Sequence, residues 1–122
     1  MSPEKRKSGK IGEEAAAAFL RRKGYQIIER NYRNKLGEID IIARDGGVLA
    51  FIEVRTKSSE AFGSPFESIT KQKQKKLGQV SQSYLKMKQM TEADARFDVV
   101  AVFLAEHRCQ RIELIKNAFE FY

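Results

Sequence analysis

Two β-rich runs, LGEIDIIAR at 36–44 and VLAFIEVRT at 48–56, are joined by Asp45-Gly46-Gly47. An aspartate–glycine turn between such runs is the strongest short-range signal for a β-hairpin. Each run carries an acid where an apolar side chain is expected. Asp40 interrupts Ile39-Asp40-Ile41-Ile42, and Glu53 interrupts Phe51-Ile52-Glu53-Val54. A carboxylate in such a strand is costly to bury unless it is paired, protonated or bound to a cation.

The register of the hairpin sets how the two acids meet. With Asp45-Gly46 as the turn, Asp40 pairs with Phe51 and Glu53 is its diagonal neighbour. With Gly46-Gly47 as the turn, Asp40 lies opposite Glu53. Both registers put the two acids on one face, because side chains alternate with a period of two. Opposite residues have Cβ atoms about 5 Å apart and diagonal ones about 7–8 Å, a gap that suits two carboxylates sharing one hard cation. Glu38, Arg55 and Lys57 share that parity. The ordinary alternative is a solvated face laced with ion pairs. A helix crossing over the sheet argues against it, by leaving less of the sheet to water.

The remaining chain supplies a frame for this hairpin. Residues 1–9 are polar and basic and read as a flexible arm. The alanine-rich stretch 10–23 has Ile11, Ala15, Ala18 and Phe19 at helical spacing and ends at Gly24, a residue suited to a helix C-terminus. Residues 25–33 read as a strand with imperfect alternation and 57–63 as a loop. A second helix is expected from Ser64-Pro65-Phe66-Glu67, which has the form of a capping box, with Ile69, Lys73, Leu77, Val80 and Tyr84 on its inner stripe. Residues 96–104 form a continuous apolar run, as in an interior strand, and 110–116 alternate as a half-buried one. The order is αβββαββ: an α/β fold, one domain over 10–122, with a mixed central sheet flanked by helices.

The net charge is +7, which favours polyanionic partners, phosphate backbones first among them. The single cysteine, Cys109, excludes an intrachain disulfide and suits a reducing, cytoplasmic setting. No stretch approaches the roughly 20 apolar residues of a membrane span. No apolar segment follows the basic N-terminal run, so a signal peptide is not expected. His107 and Cys109 lack the partners for a zinc site.

Gly37-Glu38-Ile39-Asp40 followed by Phe51-Ile52-Glu53-Val54-Arg55 resembles the acidic core of the PD-(D/E)xK nuclease superfamily. In detail the chain is similar to the small bacterial YraN-like proteins, relatives of archaeal Holliday-junction resolvases. Gly12-Glu13, Asn31-Tyr32-Arg33, Phe62-Gly63 with Pro65, Arg96-Phe97-Asp98-Val99-Val100 and Asn117-Ala118-Phe119 extend the match over about residues 9–119.

The resemblance implies a restriction-endonuclease-like core and hydrolysis of DNA phosphodiesters, with branched or structured DNA as a substrate class. Asp40, Glu53 and the Val54 carbonyl would hold a divalent metal, Mg²⁺ or Mn²⁺, and Glu13 would complete the site. A lysine normally follows the triplet acid, but here the triplet is Glu53-Val54-Arg55. Arginine is effectively always protonated and cannot act as a general base, although it can offset phosphate charge. Lys57, of the same parity, or Lys73 on the second helix could supply the amine. Lys71, Lys73, Lys75 and Lys76, with Lys10, form the expected phosphate-binding surface; a merely solvated helix face is the alternative. Tyr32 and Phe62 could stack on bases, although core packing is the commoner use of both. Resolvases of this type imply a homodimer. Two other readings stand beside the nuclease: a nucleic-acid-binding relative with little or no cleavage, and a basic protein–protein adaptor.

Overall fold

The computed structural model describes residues 3–58 and 69–120 of the 122. The first helix, α1, spans Pro3–Arg22. It begins at Pro3 and not at Lys10, so residues 3–9 of the expected arm are helical. Proline is favoured at a first helical position because its φ is preset and its missing N–H needs no partner there. The helix closes where expected. Gly24 adopts φ +93, Tyr25 N–H donates to Leu20 O at 2.9 Å, and Gly24 N–H to Arg21 O at 3.0 Å. This paired closure needs a left-handed residue, which glycine adopts without steric cost.

Five strands follow: β1 at Gln26–Asn34, β2 at Gly37–Asp45, β3 at Val48–Ser58, β4 at Ala95–Ala105 and β5 at Arg108–Phe119. They form one sheet in chain order, antiparallel throughout except for the parallel β3–β4 pair. That parallel pair requires a crossover, and the second helix, α2 at Lys71–Met87, lies within it.

The expected helix start at Ser64-Pro65-Phe66-Glu67 lies outside the described residues, as do Phe62 and Gly63. The helix that is described starts later. Thr70 is its N-cap, with extended backbone and a side chain accepting from Lys73 N–H at 3.1 Å. Ile69 is buried ahead of the cap and is not part of the helical stripe. Threonine side chains cap well by this bond.

The sheet is covered on both faces. Ala16, Ala17 and Leu20 of α1 pack on Ile41, Ala43, Ala50, Ile52, Val100 and Val102. Leu77, Val80, Tyr84 and Leu85 of α2 pack on Ile42, Leu49, Phe51 and Phe97 from the other side. Neighbouring strand residues thus feed opposite cores, which is why β4 is apolar without a break from Val99 to Ala105. Gly12 is buried where α1 crosses β3, and a Cβ there would overlap Thr56 Oγ1. Tyr32 is half-buried with its ring edge-on to Tyr84, centroids 5.1 Å apart, so it serves the core.

Candidate functional site

The hairpin turns on Gly46-Gly47, with Asp45 opposite Val48, and the ladder runs to Ile41 opposite Ile52. This is the second of the two registers, and one step further it places Asp40 level with Glu53. The regular ladder stops there. Ile39 and Ile42 both pack in the α2 core although they are an odd three positions apart, so the alternation of β2 slips at Asp40. On β1, Asn31 stands in the left-handed region at φ 55, where asparagine is tolerated better than most residues. The slip frees the Asp40 side chain from the sheet face. Its Oδ2 accepts a hydrogen bond from Val54 N–H at 2.7 Å, taking the place of a main-chain acceptor.

Asp40 and Glu53 therefore meet as neighbours. Burial pushes the Asp40 carboxyl up to about 8, and a hydrogen bond and repulsion from Glu53 push in the same direction. The Val54 N–H opposes the rise, and Glu13 adds to it. A proton kept on Asp40 relieves the repulsion between the two close carboxyls, as a cation between them would.

Lys73 Nζ lies 2.8 Å from Glu53 Oε2. Glu53 is buried at 8% exposure, and that oxygen has no hydrogen bond among the described residues beyond this ion pair. Lys73 thus reaches the carboxylate centre while its side chain stays partly exposed. Packing of Leu77, Val80 and Tyr84 on the sheet sets the rotation of α2, and Lys73, one turn before Leu77, shares that face. Lys57 is four residues beyond Glu53, about 13 Å along the strand at 3.3 Å per residue, too far to sit between the acids. Arg55 is half-buried two residues past Glu53.

Two carboxylates with the adjacent Val54 carbonyl suit Mg²⁺ or Mn²⁺, which retain several waters and need only one or two acid ligands. The raised Asp40 and the buried Glu53 beside it fit that donor set. Among the described residues, no three His, Cys, Asp or Glu side chains gather tightly enough to hold an ion by themselves. Glu13 is accordingly a neighbour of the pair. It lies in a cleft of about 570 Å³ with Arg6, Lys10, Arg30 and Asn31, and its carboxyl is raised by burial against the pull of Arg30. Arg6 is expected from the sequence only as one of the basic residues of the N-terminal arm; Arg30 is not, and the break in β1 alternation near Asn31 was the available signal.

Lys71, Lys75 and Lys76 are exposed on α2, and Lys10 on α1. Asp98, by contrast, is fully buried in a structural network. It accepts from Tyr25 Oη at 2.8 Å, from Arg96 Nε at 2.9 Å and from Asn117 N–H at 3.0 Å. Arg96 continues to Asp45, which also meets Lys116. His107 lies in the tight β4–β5 turn, where Glu106 and His107 have φ 51 and 62. No helix among the described residues is long and apolar enough to cross a membrane.

Comparison with known proteins matches residues 12–102 to the model of an uncharacterised protein family, UPF0102, the family of the YraN-like proteins. A UPF0102 protein of Syntrophus aciditrophicus is 49% identical over 93% of this chain and 89% of its own length. One of Moorella thermoacetica is 48% identical over 98% of this chain and all of its own length. One of Desulfosudis oleivorans is 48% identical over 98% and 95% respectively.

Proposed function

The chain belongs to the uncharacterised protein family UPF0102, and for it we propose metal-dependent hydrolysis of DNA phosphodiester bonds, with structured or branched DNA as the substrate class. The observation that carries this reading is the Asp40–Glu53 pair with Lys73 Nζ 2.8 Å from Glu53. It joins two carboxylates and an amine at one point of a basic protein.

In this reading Asp40, Glu53 and the Val54 carbonyl hold Mg²⁺ or Mn²⁺. The bound ion lowers the pKa of a water and offsets charge on the phosphoryl oxygens. Val54 N–H fixes one Asp40 oxygen and leaves the other to face the centre. Lys73 donates to the attacking water or to a phosphate oxygen, and Arg55, which cannot act as a base, offsets phosphate charge. Lys71, Lys75, Lys76 and Lys10 neutralise flanking phosphates without reading sequence. Partner symmetry is part of the same proposal: two copies would cut the two strands of a branched substrate.

The test is cleavage of labelled duplex, flap and four-way-junction DNA with Mg²⁺ or Mn²⁺. Wild-type cutting that is lost in Asp40→Ala and Glu53→Ala supports the nuclease. The triplet arginine and the lack of a third tightly placed acid favour a second reading, a nucleic-acid-binding relative with little or no cleavage. It predicts salt-sensitive binding that is unchanged in both variants, and no cutting.

A further inference from the structure

Beside the carboxylate centre, between the start of β2 and the first turns of α2, lies a cleft of about 340 Å³. Gly37, Gln72, Lys73, Lys76, Leu77 and Val80 line it, and Glu38, paired with Arg33 at 2.8 Å, closes its β2 side. The floor is apolar: Leu77 and Val80 are core residues of α2. Gly37 has φ +151, and a Cβ there would press to 3.2 Å from Val80 Cγ2, so the bare backbone of β2 lies close against the helix. The rim is cationic. Lys73 is shared with the carboxylate centre, and Lys76 is exposed with no ion pair among those described.

We propose that this cleft is a nucleotide subsite, which takes one unpaired nucleotide with its base against Leu77 and Val80 and its phosphate on Lys76. The proposal rests on the nucleic-acid reading above and adds a selection rule to it. A flat, weakly polar base suits the apolar floor, and its phosphate suits the lysine rim. The volume is that of a small-molecule site. A base stacked in continuous duplex must leave its partner to enter, whereas a base at a flap, fork or junction is already available. The Lys73 wall joins the subsite to Asp40 and Glu53, so the position of the open nucleotide sets which phosphodiester reaches them.

The experiment measures equilibrium binding of a short single strand carrying 2-aminopurine, and of a duplex of the same sequence, with EDTA present so that cutting plays no part. Wild type, Lys76→Ala and Lys76→Arg are compared, each checked for an unchanged melting temperature. On binding, 2-aminopurine emission should change. Lys76→Ala should weaken the single strand about fivefold and the duplex by less than about twofold, and Lys76→Arg should restore most of the loss. Equal losses for both probes, or unchanged 2-aminopurine emission, overturn the subsite while duplex binding still stands. Absence of binding to either probe overturns the nucleic-acid reading itself, and the subsite with it.

Discussion

Lys73 Nζ reaches 2.8 Å from Glu53 Oε2, joining a helix to a strand that is 20 positions earlier in the chain. In the proposed nuclease, the amine that the triplet lacks at Arg55 would be supplied by another element. Lys73→Ala should reduce cleavage by about 10²-fold or more, the usual range for losing a positioned proton-handling group. Arg55→Ala should cost less, and the ratio of the two kcat/KM values checks the assignment. Lys73→Ala should also lower stability by about 1–3 kcal/mol, because it leaves a buried carboxylate oxygen without its partner.

Asp40 makes stability fall with rising pH. Folded, its carboxyl keeps a proton up to about 8; unfolded, it releases one near 3.8. Between those values the native state binds more protons, so stability is greatest at the acid end and drops as pH climbs to about 8. Denaturant unfolding in EDTA across this window should show the slope, and Asp40→Asn should flatten it.

Divalent ions should reverse that trend. Metal binding at this site would require Asp40 deprotonated and would release its proton. Mn²⁺ should therefore raise the melting temperature more at about pH 9 than at about pH 6, and the increment should vanish in Glu53→Ala.

The α1–β3 crossing tolerates no side chain at Gly12, where a Cβ would overlap Thr56 Oγ1. Gly12→Ala should destabilise by about 1–3 kcal/mol, the range for overpacking a filled core. Adding Thr56→Ala should recover part of the loss, as read by a double-mutant cycle in urea.

Tyr25 and Asp98 should behave as structure alone. Tyr25→Phe removes one hydrogen bond to a buried acid and should cost about 1–3 kcal/mol. It should leave metal-induced stabilisation unchanged, because the Asp98 network ends at Asp45 and Lys116 and does not include Asp40 or Glu53.

Much of this architecture is legible in local pattern. Gly24 signals the end of α1, the glycines signal the hairpin, and the apolar run at 96–104 signals a strand covered on both faces. Each signal acts through neighbours within a few residues. The start of α2 at Thr70 was not legible in the same way; the capping box expected at Ser64-Pro65-Phe66-Glu67 lies outside the described residues, and a lone threonine gives a weaker local signal. The N-terminal extent of α1 was missed for a related reason: a basic run without apolar spacing gives no periodic signal.

The site divides along the same line. The sequence by itself determined that Asp40 and Glu53 interrupt apolar strands on one hairpin, and that a chain of charge +7 carries lysines on its second helix. Tertiary structure alone decided that Lys73, and not Lys57, meets Glu53, that Asp40 leaves its ladder to bind Val54 N–H, and that Glu13 lies beside the pair without closing it. The physical reason is that alternation assigns a side chain to a face, whereas a 2.8 Å contact depends on strand register, a slip in β2 and the rotation of a helix packed across the sheet.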